Sequence, residues 1–198
     1  AFDVSLILYA EHSFNVSTFT ARTITSSLSD IYGAITGAIA SLKGPLHGGA
    51  NEEVMQMLKK IKKPENAKKW ILNALDKKKL IMGFGHRVYT KGDSRVPTMR
   101  KYYYKVAELL NEKKLPKISQ IIENVMVEKK NIHPNVDYPT GPAYHLMGFD
   151  TDFFTPIFVM SRITGWSAHI MEQHTANKLI RPLSKYSGEK HRKVMLLN

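Results

Sequence analysis

Eight His and 17 acidic side chains supply the acid–base groups of this 198-residue chain, which has no Cys. Without thiols, a disulfide scaffold, a thiol nucleophile and every Cys-based zinc or iron–sulfur centre are excluded for it. The candidate groups gather at five places: Glu11-His12, Gly44-Pro-Leu-His47-Gly-Gly, Gly83-Phe-Gly-His86-Arg87, Pro134-Asn-Val-Asp137 and the stretch from Arg162 to Arg181. No G-x-S-x-G or comparable nucleophile turn occurs, which argues against a Ser–His–Asp hydrolase. His169 and His174 are five apart, not the i, i+4 that would put both rings on one helix face, so a zinc helix is rejected and no metal is expected. His, Asp and Arg without metal or covalent nucleophile point to acid–base chemistry on a carbonyl compound. The arginines add a preference for a substrate that carries carboxylates.

His47 stands among glycines just before a helix. The glycines let a ligand approach the backbone, and the positive helix end disfavours an imidazolium. A neutral His there can donate a hydrogen bond to a developing enolate oxygen; the alternative is a turn His that caps the helix. His86 follows Gly83-Phe84-Gly85, but Val88 stands where a dinucleotide loop needs its third Gly, and no βαβ pattern surrounds it. Flanked by Arg87 and Arg95, His86 fits either a pocket for a carboxylate or carbonyl oxygen or a solvated basic loop. Asp137 reads as a general base or as an ordinary helix N-cap. Arg162 sits beside Ile157, Phe158 and Met160, and in such company it must find an anion or a carboxylate partner.

Helices must position these joints. Ser17 to Leu42 reads as one long helix with apolar residues spaced by threes and fours, and Gly33 and Gly37 suggest that another helix packs close to it. Gly44-Pro45 ends it, and Asn51-Glu-Glu caps the next, to about Lys60. Further helices are expected at Glu65–Lys77, Pro97–Glu112, Lys117–Lys129 and Thr155–Ala176. Nothing alternates at period two, so the chain reads as all-α.

The composition, 43% hydrophobic and 23% charged, is that of a globular protein. Its longest apolar stretches fall short of the roughly 18 residues that cross a bilayer, and no secretory signal opens it. No membrane association and a cytoplasmic location are expected, and because Ala1 is not an initiator Met the beginning of the protein is expected elsewhere. The formal charge of +12 invites a nucleic-acid or anionic-surface binding module as an alternative function. The charge is localised, however: nine Lys lie between Lys59 and Lys79, mixed with apolar residues at helical spacing, which reads as solvated helix faces.

Together these stretches resemble the citrate synthase family. The segments that carry the resemblance are Leu8-Tyr-Ala-Glu-His12-Ser-Phe-Asn-Val-Ser-Thr, Gly44-Pro-Leu-His47-Gly-Gly-Ala-Asn-Glu, Gly83-Phe-Gly-His86-Arg-Val-Tyr, Asp93-Ser-Arg95, Pro134-Asn-Val-Asp137-Tyr, Arg162-Ile-Thr-Gly-Trp166-Ser-Ala-His169 and Arg181-Pro, in the family's order and spacing. The resemblance implies condensation of an acyl-CoA with oxaloacetate followed by thioester hydrolysis, with no permanently bound cofactor and coenzyme A thioester as co-substrate. It makes Asp137 the base, His47 the neutral enol stabiliser and His86 the group that polarises the ketone. His12, Arg95, Arg162 and Arg181 would hold oxaloacetate, with Arg181 reaching into a neighbouring subunit of a homodimer. The backbone of Ile81, Met82, Gly83, Phe84 and Gly85 would lie along CoA. Both substrates are anions, so no nucleic acid is needed to account for the charge.

The resemblance also implies a C-terminal half, with residues 1–49 and 152–198 in a large helical domain and 50–151 in a small CoA-side domain. An inactive structural fragment is the other alternative. Thr90 stands where some members carry a basic residue near the CoA phosphates; Lys91 is the candidate substitute. Tyr-Ala-Glu-His-x-Phe-Asn and the segment from Ser29 look more like 2-methylcitrate synthases, which use propionyl-CoA, or dual-specificity members than like strict users of acetyl-CoA. That pocket difference is one methyl, about 1–3 kcal/mol at most.

Overall fold

In the computed structural model, which describes residues 1–89 and 91–193, nine α-helices form and no strand occurs among the described residues. Thr90 lies outside them. In chain order the helices are α1 (Phe2–Ala10), α2 (Val16–Ser26), α3 (Ile31–Leu42), α4 (Ala50–Ile61), α5 (Pro64–Asp76), α6 (Val96–Leu109), α7 (Lys114–Lys130), α8 (Asp137–Leu146) and α9 (Phe154–Thr175). A 3-10 turn, Thr151–Phe153, leads into α9. One isolated antiparallel bridge joins Phe84 to Pro134.

The lysine-rich segment shows what drives this packing. Leu58, Ile61, Ala67, Ile71 and Ala74 are buried, while Lys59, Lys60, Lys68 and Lys69 between them are exposed. Apolar burial seats α4 and α5, and the charge stays in water. α5 packs on α7, and α8 packs on both α4 and α6. α9 receives α1, α2 and α3. Where α1 ends on α9, Gly165 faces the Ala10 carbonyl so closely that a Cβ would run into it. That approach brings the backbone of Tyr9 within reach of Arg162 on α9.

Two expectations fail. The single helix from Ser17 to Leu42 is two, because Leu28 takes a left-handed φ of 66° and Asp30 caps a new helix, accepting from the Gly33 N–H at 2.8 Å. The apolar period runs through the break because α2 and α3 fold onto each other. Gly37 is a point of contact, its missing side chain making room for Ile24 of α2. The close partner expected at Gly37 is therefore the other half of the same predicted helix. Asn51, expected to cap α4, does not cap it: Gly49 occupies that position, and Asn51 is fully buried with its Nδ2 3.5 Å from the Tyr9 hydroxyl.

Candidate active site

Asp137 is placed by a stitched pair of loops. The Gly85 N–H donates to the His133 carbonyl at 2.8 Å, the Asn135 N–H to the Gly83 carbonyl at 2.9 Å, and Asn135 Nδ2 to the Gly85 carbonyl at 3.0 Å. Gly83 makes this possible: its φ is +80°, and a Cβ would sit 2.6 Å from Val54. The stitched segment runs into α8, where the Asp137 N–H donates to Asn135 Oδ1 at 3.1 Å. Asp137 is the first helical residue, after Val136 at the cap, and its own carboxylate caps nothing. Instead Oδ1 accepts from the Tyr9 hydroxyl at 2.6 Å.

Three imidazoles lie close to one another and to the same arginines, and backbone donors fix the tautomers of two of them, His86 and His47. The Val88 and Tyr89 N–H groups both donate to His86 Nδ1, at 3.1 and 3.2 Å, so the ring proton sits on Nε2. That Nε2 lies 3.3 Å from His12 Nε2, to which it donates. A carbonyl oxygen placed there would take the same hydrogen. The Ser17 N–H points at His47 Nε2 from 3.3 Å, leaving the His47 proton on Nδ1. The Ser17 hydroxyl lies 2.8 Å from the same Nε2 and accepts from Trp166 Nε1 at 3.2 Å. Beside His86 a cavity of about 370 Å³ opens, lined by Gly85, Tyr89, Gly92 and Asp93 among others.

Two arginines approach the group. Arg95 binds Asp93 side-on, through Nε at 3.0 Å and Nη2 at 2.7 Å. Arg162 is 1% exposed. Its Nε donates to the Tyr9 carbonyl at 2.5 Å and its Cζ lies 4.7 Å from the Phe158 ring centre. Its Nη1 is buried with no hydrogen-bond partner among the described residues. Arg181 is not brought in: it is exposed, and its Nη1 donates to the adjacent Pro182 carbonyl at 2.6 Å. Of the segment Ile81–Gly85, Ile81 and Gly83 are buried and Phe84 packs on Tyr138 with ring centres 4.4 Å apart. Its Gly83 carbonyl and both Gly85 backbone groups are already used in the stitching.

The electrostatics divide the titratable groups into roles. Burial, helped by nearby guanidinium charge, lowers His12 and His47 to about 4. His86 is also lowered, again by burial. All three are neutral at pH 7 and can donate hydrogen bonds without carrying charge. Burial pushes the Asp137 carboxyl up to about 6, against the Tyr9 hydrogen bond and the Arg95 charge, which lower it. Burial likewise lowers Arg162 to about 10, which still leaves it cationic. Such a pairing of a poised carboxyl with neutral donors and fixed cations suits proton abstraction next to a carbonyl. Because the Tyr9 hydroxyl stabilises the carboxylate, Tyr9→Phe should move the Asp137 titration above 6. A carboxyl-carbon NMR titration reads this directly, and an unmoved midpoint would detach Tyr9 from the group.

Tyr9, Ser17, Asp93 and Trp166 all lie inside the segments that sequence reasoning singled out, yet received no role there. What singles them out appears only in the structure: each is a polar or amphipathic residue that is buried, at 0%, 0%, 4% and 0% exposure. A residue of that kind needs a partner, and here the partners are site residues.

The family description "Citrate synthase, C-terminal domain" matches residues 1–183. The chain is 58% identical over 193 residues to a protein named 2-methylcitrate synthase 2 from Corynebacterium glutamicum, covering 98% of this chain and 50% of that one. It is 55% identical over 195 residues to a citrate synthase from Mycolicibacterium smegmatis, covering 98% of this chain and 52% of the relative. Among solved structures it matches the citrate synthase of Thermoplasma acidophilum, determined as a ternary complex with carboxymethyl coenzyme A and oxaloacetate. That match has a TM-score of 0.92 at 38% identity, over 98% of this chain and 53% of the other. The chain thus spans about half the length of the curated relatives it matches. The same folding of the chain, recurring with this much identity along nearly all of it, makes the chain a member of the citrate synthase family.

Proposed function

We propose that the protein carrying this chain condenses an acyl-CoA thioester with oxaloacetate to give citrate or 2-methylcitrate. The observation that carries this reading is Asp137, a carboxyl released from capping, held by Tyr9 and poised near 6, where a base can work at neutral pH. Asp137 takes a proton from the carbon next to the thioester, and the His47 Nδ1–H stabilises the enol oxygen. The enol carbon bonds to the ketone carbon of oxaloacetate as the ketone π pair moves onto its oxygen, which is protonated from His86 Nε2–H to become the product hydroxyl, and the proton held by Asp137 balances the one given up. Water then cleaves the thioester and releases CoA as its thiol.

His12, Arg95 and Arg162 hold the oxaloacetate carboxylates, and the Arg162 Nη1, without a partner among the described residues, supports that assignment. Arg181, standing apart from the cluster, is assigned to the site of a neighbouring subunit in a homodimer. The Ile81–Gly85 segment is assigned to CoA, and Lys91 to its phosphates. No permanently bound cofactor, nucleic acid or membrane takes part, and no described helix is long and apolar enough to cross a bilayer. Cytoplasm is the proposed location. Packing supports the domain reading as well: α1 to α3 gather on α9, while α4 to α8 pack chiefly among themselves, in line with a small domain over 50–151.

The test is thiol release by the intact protein given oxaloacetate with acetyl-CoA or propionyl-CoA in parallel. This chain contributes no Cys to the background. Release that requires oxaloacetate is expected, and the ratio of the two rates assigns the acyl preference. Release indifferent to oxaloacetate, or none, overturns the reading.

A further inference from the structure

We propose that Asp93 is a positioning residue that holds Arg95, the carboxylate clamp, in fixed register with Asp137, the enolising base; this rests on the condensation reading above. Asp93 carries no assigned chemistry, yet its side chain is wholly buried and both its oxygens are fully used. Oδ1 accepts from the Arg95 N–H and from Arg95 Nε, each at 3.0 Å. Oδ2 accepts from Arg95 Nη2 at 2.7 Å and from the Val136 N–H at 3.0 Å. Val136 is the residue before Asp137 and the cap of α8.

A side-on carboxylate fixes the plane of a guanidinium as well as its place, so Arg95 has one orientation to offer a ligand. The fourth bond ties the same carboxylate to the backbone that sets Asp137. Burying a carboxylate is unfavourable unless it is paired and hydrogen-bonded, and here every donor comes from one of those two groups. Burial pushes the Asp93 carboxyl up, but the Arg95 bonds and charge outweigh it and hold the group ionised. The loop 83–95 and the segment 133–137 are thus joined at two points, at the Gly83–Asn135 stitching and at Asp93. Only the Asp93 joint includes a side chain that would touch substrate.

The two functions of Asp93 can be separated in the intact protein. Asp93→Asn keeps one oxygen for the Val136 N–H but turns an amide NH2 toward Arg95, or the reverse. It is expected to raise KM for oxaloacetate and lower kcat, each about tenfold, as a misplacement of about 1 Å does, with KM for the acyl-CoA changed less than about twofold. Asp93→Glu restores the charge on a longer stem that reaches Arg95 but cannot also keep the Val136 bond. KM for oxaloacetate should return toward the unsubstituted value while kcat stays low. The proposal is overturned if Asp93→Asn leaves both constants within about twofold, if all constants change in parallel, or if neither variant folds, since Asp93 would then be a structural carboxylate only. Absence of turnover in the unsubstituted protein would instead sink the condensation reading. Calorimetric oxaloacetate binding then decides for Asp93, and equal affinities with and without Asp93→Asn would overturn its role.

Discussion

Asp137→Asn is expected, on the condensation reading, to lower kcat by about 10²–10⁴-fold, the span of a positioned general base, and to leave oxaloacetate affinity within about twofold. The substitution is nearly isosteric. The amide oxygen can still accept from Tyr9, and the Asn135 contact that starts α8 is made by the Asp137 backbone, which is untouched. What is lost is the capacity to take a proton, so binding and chemistry should come apart. Steady-state thiol release paired with calorimetry measures both. If turnover and oxaloacetate binding vanish together, Asp137 is a structural residue and the base lies elsewhere. In the unsubstituted protein the acid limb of the kcat/KM profile should fall near pH 6, because the carboxyl must be ionised to act and burial has raised it to about that value in the free protein.

On the same reading Arg162→Ala is expected to weaken oxaloacetate binding by about 10–150-fold, the equivalent of the roughly 1.5–3 kcal/mol of a charge-assisted hydrogen bond, and acyl-CoA binding far less. Alanine also frees the Tyr9 carbonyl and opens space beside Phe158, so part of any loss could come from the fold. Arg162→Met separates the cavity part of that loss from the loss of the cation, and leaves the Tyr9 carbonyl free in both variants. It restores the apolar volume without a buried cation, and replacing an uncompensated buried charge with a well-packed side chain is often neutral or stabilising. The Met variant should therefore keep its thermal midpoint without ligand and lose the rise in midpoint expected when oxaloacetate is added to the unsubstituted protein. Equal weakening toward both substrates would count against a carboxylate clamp.

The segments that build this site could be found in the sequence because its chemistry sits at helix joints, where Gly and Pro mark the turns and His or Asp stands out. Arg162 was legible for the same reason in reverse, as a cation in an apolar stretch that required an anion. Asp93 and Tyr9 were not, because their importance comes from contacts at long range: Tyr9 reaches Asp137 across 128 positions and Asp93 reaches Val136 across 43. The break at Leu28 was hidden by a period that both helices share, since folding back keeps the same residues inward. Only the Asp30 cap could have betrayed it, and Asp is equally at home on an exposed helix face. Asn51 looked like a cap by type, but the turn at Gly49 starts α4 earlier and drives its amide inward to Tyr9.

The span between α1 and α8 has a mechanical consequence. Long tyrosine side chains bridge these helices at both ends, Tyr9 to Asp137 and Tyr144 to Ser5 at 2.9 Å. Arg162 grips the Tyr9 backbone while the Tyr9 tip grips the carboxylate. A slide of α1 that stretched the 2.6 Å bond would remove the interaction that limits the rise of the Asp137 carboxyl. The carboxyl then acts as a strain gauge: in a slackened arrangement it parks a proton, and in a tightened one it lets the proton go. Ionisation of the group is thereby tied to the position of α1 as well as to the acidity of the surrounding water.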